Sequence, residues 1–219
     1  MSLYTISKSE RLPAINIPLG LRIFECKDVQ RLSTISSITV DHVISRMNDG
    51  HRAFVAYMNG KAAGFGWMAT KKAFIGELNH HFMMPAQNRY LWNFRTLAEY
   101  RGLGIYPALL QYIVRQERPK AAQFWIIHAP ENFSSRRGIS KAGFRYVGKL
   151  YTQIGQGALI EFPPSGPRYL DLLSQMGFNS SNDKGASCWN CSSPYLKNRT
   201  EDCCCFVTSD RCVEMAVSL

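Results

Sequence analysis

Residues 90–114 read YLWNFRTLAEYRGLGIYPALLQYIV, and the order of residue types in this stretch sets the fold. Tyr90 to Leu97 is aromatic and branched and holds no glycine, as a strand would. Arg101 to Gly104 is a tight basic turn with two glycines. Ala108, Leu109, Leu110, Ile113 and Val114 then fall on one helical face, and Pro119 closes that helix. A strand, a glycine turn and a helix in this order make an anion site. The first-turn N–H groups of a helix have no intrahelical acceptor, and the macrodipole adds partial positive charge there. Gly102 and Gly104 let the backbone come close to a phosphate and take positive φ. The turn is not a Walker A loop, since no Gly-Lys-Ser/Thr ends it. Nor is it the dinucleotide pattern, which needs three glycines at wider spacing.

Downstream, Gln123 to His128 is nearly all apolar, as a strand buried on both faces would be. Asn132 to Lys141 is a short basic helix, ended by Gly143. Phe144 to Tyr151 and Ala158 to Phe162 read as two further strands. Pro163, Pro164 and Pro167 mark a boundary, and Tyr169 to Met176 reads as a short helix stopped by Gly177.

Upstream, the first twenty residues read as irregular, with Pro13 and Pro18 breaking any helix. Leu21 to Cys26 alternates as a first strand, and Val40, Val43, Ile44 and Met47 recur at helical spacing. Ala53 to Met58 and Lys61 to Thr70 form a strand pair around Asn59-Gly60, a strong hairpin signal. Gly64 and Gly66 inside the second strand point to a bend or a close backbone approach. Lys71 to Asn88 reads as a strand end and a loop. The expected order is β-α-β-β-loop-β-α-β-α-β-β, a mixed sheet with helices on both sides, in the α/β or α+β class.

Tyr100-Arg101-Gly102-Leu103-Gly104-Ile105 resembles the pyrophosphate loop of the GNAT superfamily of acyl-CoA-dependent N-acyltransferases. Asn132, Ser135, Ile139, Lys141, Gly143 and Phe144 resemble that family's second conserved segment, at the usual distance. The resemblance covers roughly Leu21 to Phe162 and implies a GNAT-like, mostly antiparallel twisted sheet flanked by helices. It also implies acetyl-CoA or another acyl-CoA as co-substrate. Phe94, Arg95 and Thr96 would pair their main chain with the pantetheine. Arg101, Gly102, Leu103, Gly104, Ile105 and Tyr106 would hold the pyrophosphate. Asn132 and Ser135 would reach the cofactor or cap their helix. Arg136, Arg137 and Lys141 are candidates for a 3′-phosphate. Two positions depart from the family: Tyr106 stands where glycine or alanine is usual, and Ile139 where many members carry a tyrosine.

The implied reaction is attack of an amine on a thioester, which needs a proton acceptor and an oxyanion donor. Glu77 is the first candidate for the base and His128, at the end of the buried strand, the second. A backbone N–H near Thr96 would serve the oxyanion. His80 and His81 are candidates for substrate or metal, and Arg95 for a substrate carboxylate. Phe82, Met83, Met84, Tyr90 and Trp92 suit either the core or an apolar acceptor. The expected acceptor is an amine-bearing small molecule or peptide. The two departures leave an alternative open, a weakened GNAT-like module that binds a peptide or nucleic acid.

The chain of 219 residues carries a formal charge of +10, unevenly spread. Residues 1–163 carry +11 and the remainder −1, so the body suits an anionic partner such as a phosphorylated cofactor. Six of the seven cysteines lie after Pro164. Cys188 and Cys191 have knuckle spacing, and Cys203, Cys205 and Cys212 could complete a zinc site. The expected division is an acyltransferase domain over 1–163 and a cysteine-rich, zinc-stapled extension over 164–219. No run of eighteen apolar residues appears and the N-terminus lacks a signal-peptide pattern, so the expected location is cytoplasmic.

Overall fold

A computed structural model describes residues 1–129, 132–153 and 155–181. The elements run β1 (Ser2–Ser7), β2 (Leu21–Cys26), α1 (Val29–Ser36), α2 (Val40–Asn48), β3 (His51–Met58), β4 (Lys61–Ala69), β5 (Lys72–Ile75), β6 (His80–Met83) and β7 (Asn88–Thr96). They continue with α3 (Ile105–Glu117), β8 (Gln123–His128), α4 (Phe133–Lys141), β9 (Arg145–Gln153), β10 (Gly157–Glu161), α5 (Leu170–Gln175) and β11 (Asn179–Ser180). Nine strands form one sheet in the order β11-β10-β9-β1-β8-β7-β4-β3-β2, while β5 and β6 form a separate hairpin. All pairs in the sheet are antiparallel except β7–β8 and β10–β11. This is the mixed, mostly antiparallel sheet flanked by helices that the sequence predicts.

The N-terminus corrects one expectation. Ser2–Ser7 is not irregular but a central strand, antiparallel to β8 on one side and β9 on the other. Its polar residues are answered by neighbours distant in sequence. The Thr5 hydroxyl donates to the Phe124 carbonyl at 2.7 Å, and Gln123 Nε2 donates back to it at 2.6 Å. Such pairing is non-local, so periodicity within six residues does not reveal it. The predicted loop over 71–88 likewise contains the β5–β6 hairpin. The predicted turn at Asn59-Gly60 is present, with φ of 50° and 84°, the positive pair that a type I′ turn requires.

Alternation along the strands divides the core. Tyr4, Ile6, Phe54, Leu91, Phe124 and Ile126 pack under α3 and α4. On the opposite face, Val55, Phe65 and Trp67 pack under α1 and α2. Leu3, Tyr90 and Trp125 pack there too, under the β5–β6 hairpin and α5. Leu173, Met176 and Phe178 belong to that last cluster, and β11 pairs with β10. The packed body therefore runs past the boundary expected at Pro163. Cys188, Cys191, Cys203, Cys205 and Cys212 lie outside the described residues. No described helix is long and apolar enough to cross a membrane.

One buried carboxylate ties α3 to the sheet. Glu117, 1% exposed, accepts from Arg89 Nε at 2.9 Å and from Arg52 Nη1. Arg52 Nε also donates to Glu25 at 2.9 Å. Burial alone would raise the Glu117 carboxyl, but the two guanidinium groups hold it below its usual range. Replacing Glu117 with Ala leaves Arg89 without its carboxylate while Arg52 keeps Glu25, so unfolding free energy should fall by about 3–5 kcal/mol in urea denaturation. Both carboxyls have depressed folded values. Their contribution is therefore present above pH 4.5, the unfolded value, and lost as pH falls below it.

Candidate functional site

The site begins where two parallel strands separate. β7 pairs with β8 from Asn88↔Gln123 to Leu91↔Ile126 and no further. On its other side β7 stays paired to β4, but Phe65 faces Arg95 while Trp67 faces Trp92. Two residues, Asn93 and Phe94, thus oppose the single Gly66, which is a β-bulge. Asn93 takes a φ of 50° there, and a bulge bends its strand. A Cβ on Gly66 would stand 2.1 Å from the Phe94 ring, and one on Gly64 would stand 2.9 Å from the Arg95 carbonyl. Both strand glycines are needed for β7 to lie this close after it bends. The result is a V whose arms are Trp92–Thr96 and Ile127–His128, and the β8-facing edge of the first arm has no strand partner among the described residues.

The glycine turn closes one end of the V. Gly102 and Gly104 both have φ of 81°, a left-handed backbone that only glycine takes without strain. Gly104 is the N-cap of α3 and supplies no side-chain cap. The first-turn N–H groups therefore point out unanswered, and Pro107 in that turn has none to leave unpaired. A cleft of about 610 Å³ lies over this helix start. Phe94, Arg95, Thr96, Arg101, Gly102, Gly104, Ile105, Tyr106, Asn132 and Ser135 all line it. Leu103 instead lines an adjoining cleft of about 510 Å³, together with Pro13 to Asn16. Those N-terminal residues carry no motif, so the sequence did not single them out. Gly138 also lines the main cleft and was not singled out as a site residue.

Arg95, Arg101, Arg137 and Lys141 line the main cleft, and among the described residues no carboxylate does. Such a one-sign surface suits an anion. The structure also accounts for both departures from the family pattern. Tyr106 does not fill the cleft. Its ring packs 5.5 Å from Phe94 and against Gly138, where a Cβ would stand 2.3 Å from it. Its hydroxyl lies 3.3 Å from Ser135 Oγ. Ile139 is fully buried in the core under α3 and α4, so no proton donor stands at that position. The Asn132 side chain accepts from the Ser135 N–H at 2.9 Å and so caps α4.

The two candidate bases fall in different places. Glu77 is exposed on the turn between β5 and β6 and does not line the cleft. His128 does not line the cleft either; it ends one arm of the V, is 5% exposed, and sits 5.3 Å from the Tyr4 ring. Its Nδ1 is 2.7 Å from the Ala129 carbonyl. A carbonyl only accepts, so Nδ1 carries the proton and the Nε2 lone pair is free. That Nε2 is buried without a partner among the described residues. Burial, the nearby N-terminal amine and Arg136 pull the His128 pKa below the ordinary imidazole value, against the Ala129 hydrogen bond. His80 instead donates to the Met176 carbonyl at 2.7 Å and packs on Phe178, while His81 is exposed and stacks on Phe74. Among the described residues no group of three or more His, Cys, Asp or Glu could hold a metal ion.

Residues 24–144 match the acetyltransferase (GNAT) family. The match spans more than half of the chain, which therefore belongs to that family. Several solved structures are similar at low identity. A GCN5-related N-acetyltransferase from Kribbella flavida is 15% identical with a TM-score of 0.41, over 57% of this chain and 46% of its own. The chain thus spans less than half of that protein. The ribosomal-protein-S18-alanine N-acetyltransferase from Escherichia coli is 16% identical with a TM-score of 0.46, over 63% of this chain and 88% of its own. AAC(6')-Iy in complex with the bisubstrate analogue CoA-S-monomethyl-acetylneamine is 14% identical with a TM-score of 0.49, over 61% and 96%. No curated protein sequence matches the chain.

The Tyr106–Gly138 contact gives a direct test of the cleft wall. Gly138→Ala should lower unfolding free energy by about 1–3 kcal/mol, because the ring has to leave its position. In a Tyr106→Ala background the same substitution should cost less, read as a double-mutant cycle in thermal melts.

Proposed function

We propose that the chain is an N-acyltransferase that takes an acetyl or longer acyl group from acyl-CoA and passes it to an amine. The observation that carries this reading is the uncapped α3 start behind the Gly102 and Gly104 turn, opening on a cleft with four cations and no described carboxylate. The pyrophosphate would sit against the first-turn N–H groups, with Arg101 beside it. The 3′-phosphate would take Arg137 or Lys141. The free edge of Phe94, Arg95 and Thr96 would pair with the pantetheine as an added strand does.

The chemistry follows from that position. The amine nitrogen attacks the thioester carbonyl carbon, and a backbone N–H of the free β7 edge stabilises the oxyanion. His128 Nε2 takes the amine proton; the C–S bond then breaks, and the imidazolium returns that proton to the thiolate sulfur. This route needs no tyrosine at Ile139. Glu77 remains the second candidate base, from the β5–β6 side. The amine-bearing acceptors named for the similar enzymes support an amine acceptor of small-molecule or peptide type.

Acetyl-CoA at a hundredfold excess over its Kd should add about 2.7 kcal/mol of stability in a thermal-shift series. Arg101→Ala and Lys141→Ala should weaken that shift; no shift with any acyl-CoA would end the proposal. His128→Ala should lower kcat on the order of 100-fold, while Glu77→Gln should leave it within about threefold. The acidic limb of kcat/KM should fall below pH 6.5, because the His128 pKa is lowered, and should vanish in His128→Ala. A large effect of Glu77→Gln with none at His128 would reassign the base.

A further inference from the structure

Trp67 and Trp92 stand directly opposite one another in β4 and β7, on the face away from α3 and α4. The Arg46 guanidinium, from α2, covers both rings, 5.1 Å from the centre of Trp67 and 4.7 Å from that of Trp92. Trp92 is the first residue of β7 past its last pairing with β8. The cluster therefore flanks the apex of the V from the side opposite the basic cleft.

Two of its donors go unanswered. Arg46 Nη1 and the Trp67 indole nitrogen are buried with no acceptor among the described residues. Burial lowers the Arg46 pKa, and among the described residues no carboxylate forms an ion pair with it; the Asp49 carboxylate, which acts on His51, is paired with Lys72 at 3.2 Å. Trp92 Nε1 lies 3.0 Å from His51 Nδ1. An indole N–H only donates, so His51 Nδ1 accepts. Burial pushes the His51 pKa down to about 4, and the neutral ring keeps its proton on Nε2. The contrast with Arg52 and Arg89 is direct, since Glu117 answers both of those guanidinium groups. A half-buried cation and orphaned donors call for an acceptor of opposite charge.

We infer that Arg46, with Trp67, Trp92 and His51, binds the carboxylate of the acceptor, so that the substrate class is an amine that also bears a carboxylate, such as an amino acid or an acidic peptide. One guanidinium beside a neutral imidazole supplies a single positive charge, which matches a carboxylate better than a phosphate dianion. The planar fork of arginine fits the two carboxylate oxygens. Bound here, the acceptor would approach the apex from the face opposite the acyl-CoA cleft. The inference takes its amine from the acyltransferase reading, but the carboxylate site stands without it.

The test uses the full chain and its own tryptophan fluorescence, in chloride-free buffer. N-acetylglycine, a carboxylate probe, is compared with the uncharged N-acetylglycinamide. The acid should bind about tenfold or more tightly than the amide, as expected for one charge-assisted hydrogen-bonded pair. Arg46→Met should erase that preference and Arg46→Lys should keep part of it. A blocked peptide with one internal aspartate separates the sources. Binding as tight as N-acetylglycine assigns the site to a side-chain carboxylate, weaker binding to a terminal one. A cooperative thermal melt of each variant reports whether it is folded. Equal affinity for acid and amide in the wild type, or an undiminished preference in folded Arg46→Met, overturns the inference. A carboxylate preference without any acetyl-CoA shift would instead overturn only the acyltransferase reading.

Discussion

The break in pairing between β7 and β8 after Leu91↔Ile126 is the constraint from which the site follows. Strands in one sheet normally keep their hydrogen bonds to the end, because an unmade backbone bond in a buried place is costly. Here the bulge at Asn93 and Phe94, opposite Gly66, bends β7 out of register with its parallel neighbour. Phe94 fills the space that the missing Gly66 side chain leaves. The free edge of Trp92–Thr96 is thereby held open by packing on the β4 side. The edge lacks a strand partner on that side among the described residues, and the α3 start stands at the end of the same gap.

Charge is sorted along α3 to match. At its C-terminal end, Glu117 is held by Arg89 and Arg52, so those two guanidinium groups have a carboxylate within the fold. At its N-terminal end, Arg95, Arg101, Arg137 and Lys141 line the cleft with no described carboxylate among them. The net positive charge of the body is therefore not a uniform coat. The cations that line the cleft stand at the positive end of the helix dipole, and the two fields add.

The glycine turn, the α3 face, the Asn132 cap and the Asn59-Gly60 hairpin were all legible in the sequence, because each depends on residues close together in the chain. The pairing of Ser2–Ser7 between β8 and β9 was not, since its register is set by residues more than a hundred positions away. The same limit explains Glu77. Its residue type suits a base, and its neighbourhood in sequence precedes the cofactor strand, but the β5–β6 hairpin carries it to an exposed turn. Gly66 gave a hint of close approach, yet the bulge it faces appears only once β4 and β7 are aligned. Arg46 carried no signal at all. Its importance comes from two indoles brought together across a strand pair.

Burial also explains how this chain can do without a tyrosine at Ile139. That position faces the core under α3 and α4, where an isoleucine packs without any polar atom to satisfy. In the proposed reaction the proton would pass through a group on another element, and His128 is suited to that by its burial. Its Nδ1 proton is fixed by the Ala129 carbonyl, which leaves Nε2 as an acceptor, and desolvation keeps the ring neutral in the pH range where an amine must be deprotonated. An exposed histidine would hold neither tautomer nor charge state so firmly. Of the two positions, the core leaves only the strand end polar, which is why the proposed proton route runs through His128 and not through α4.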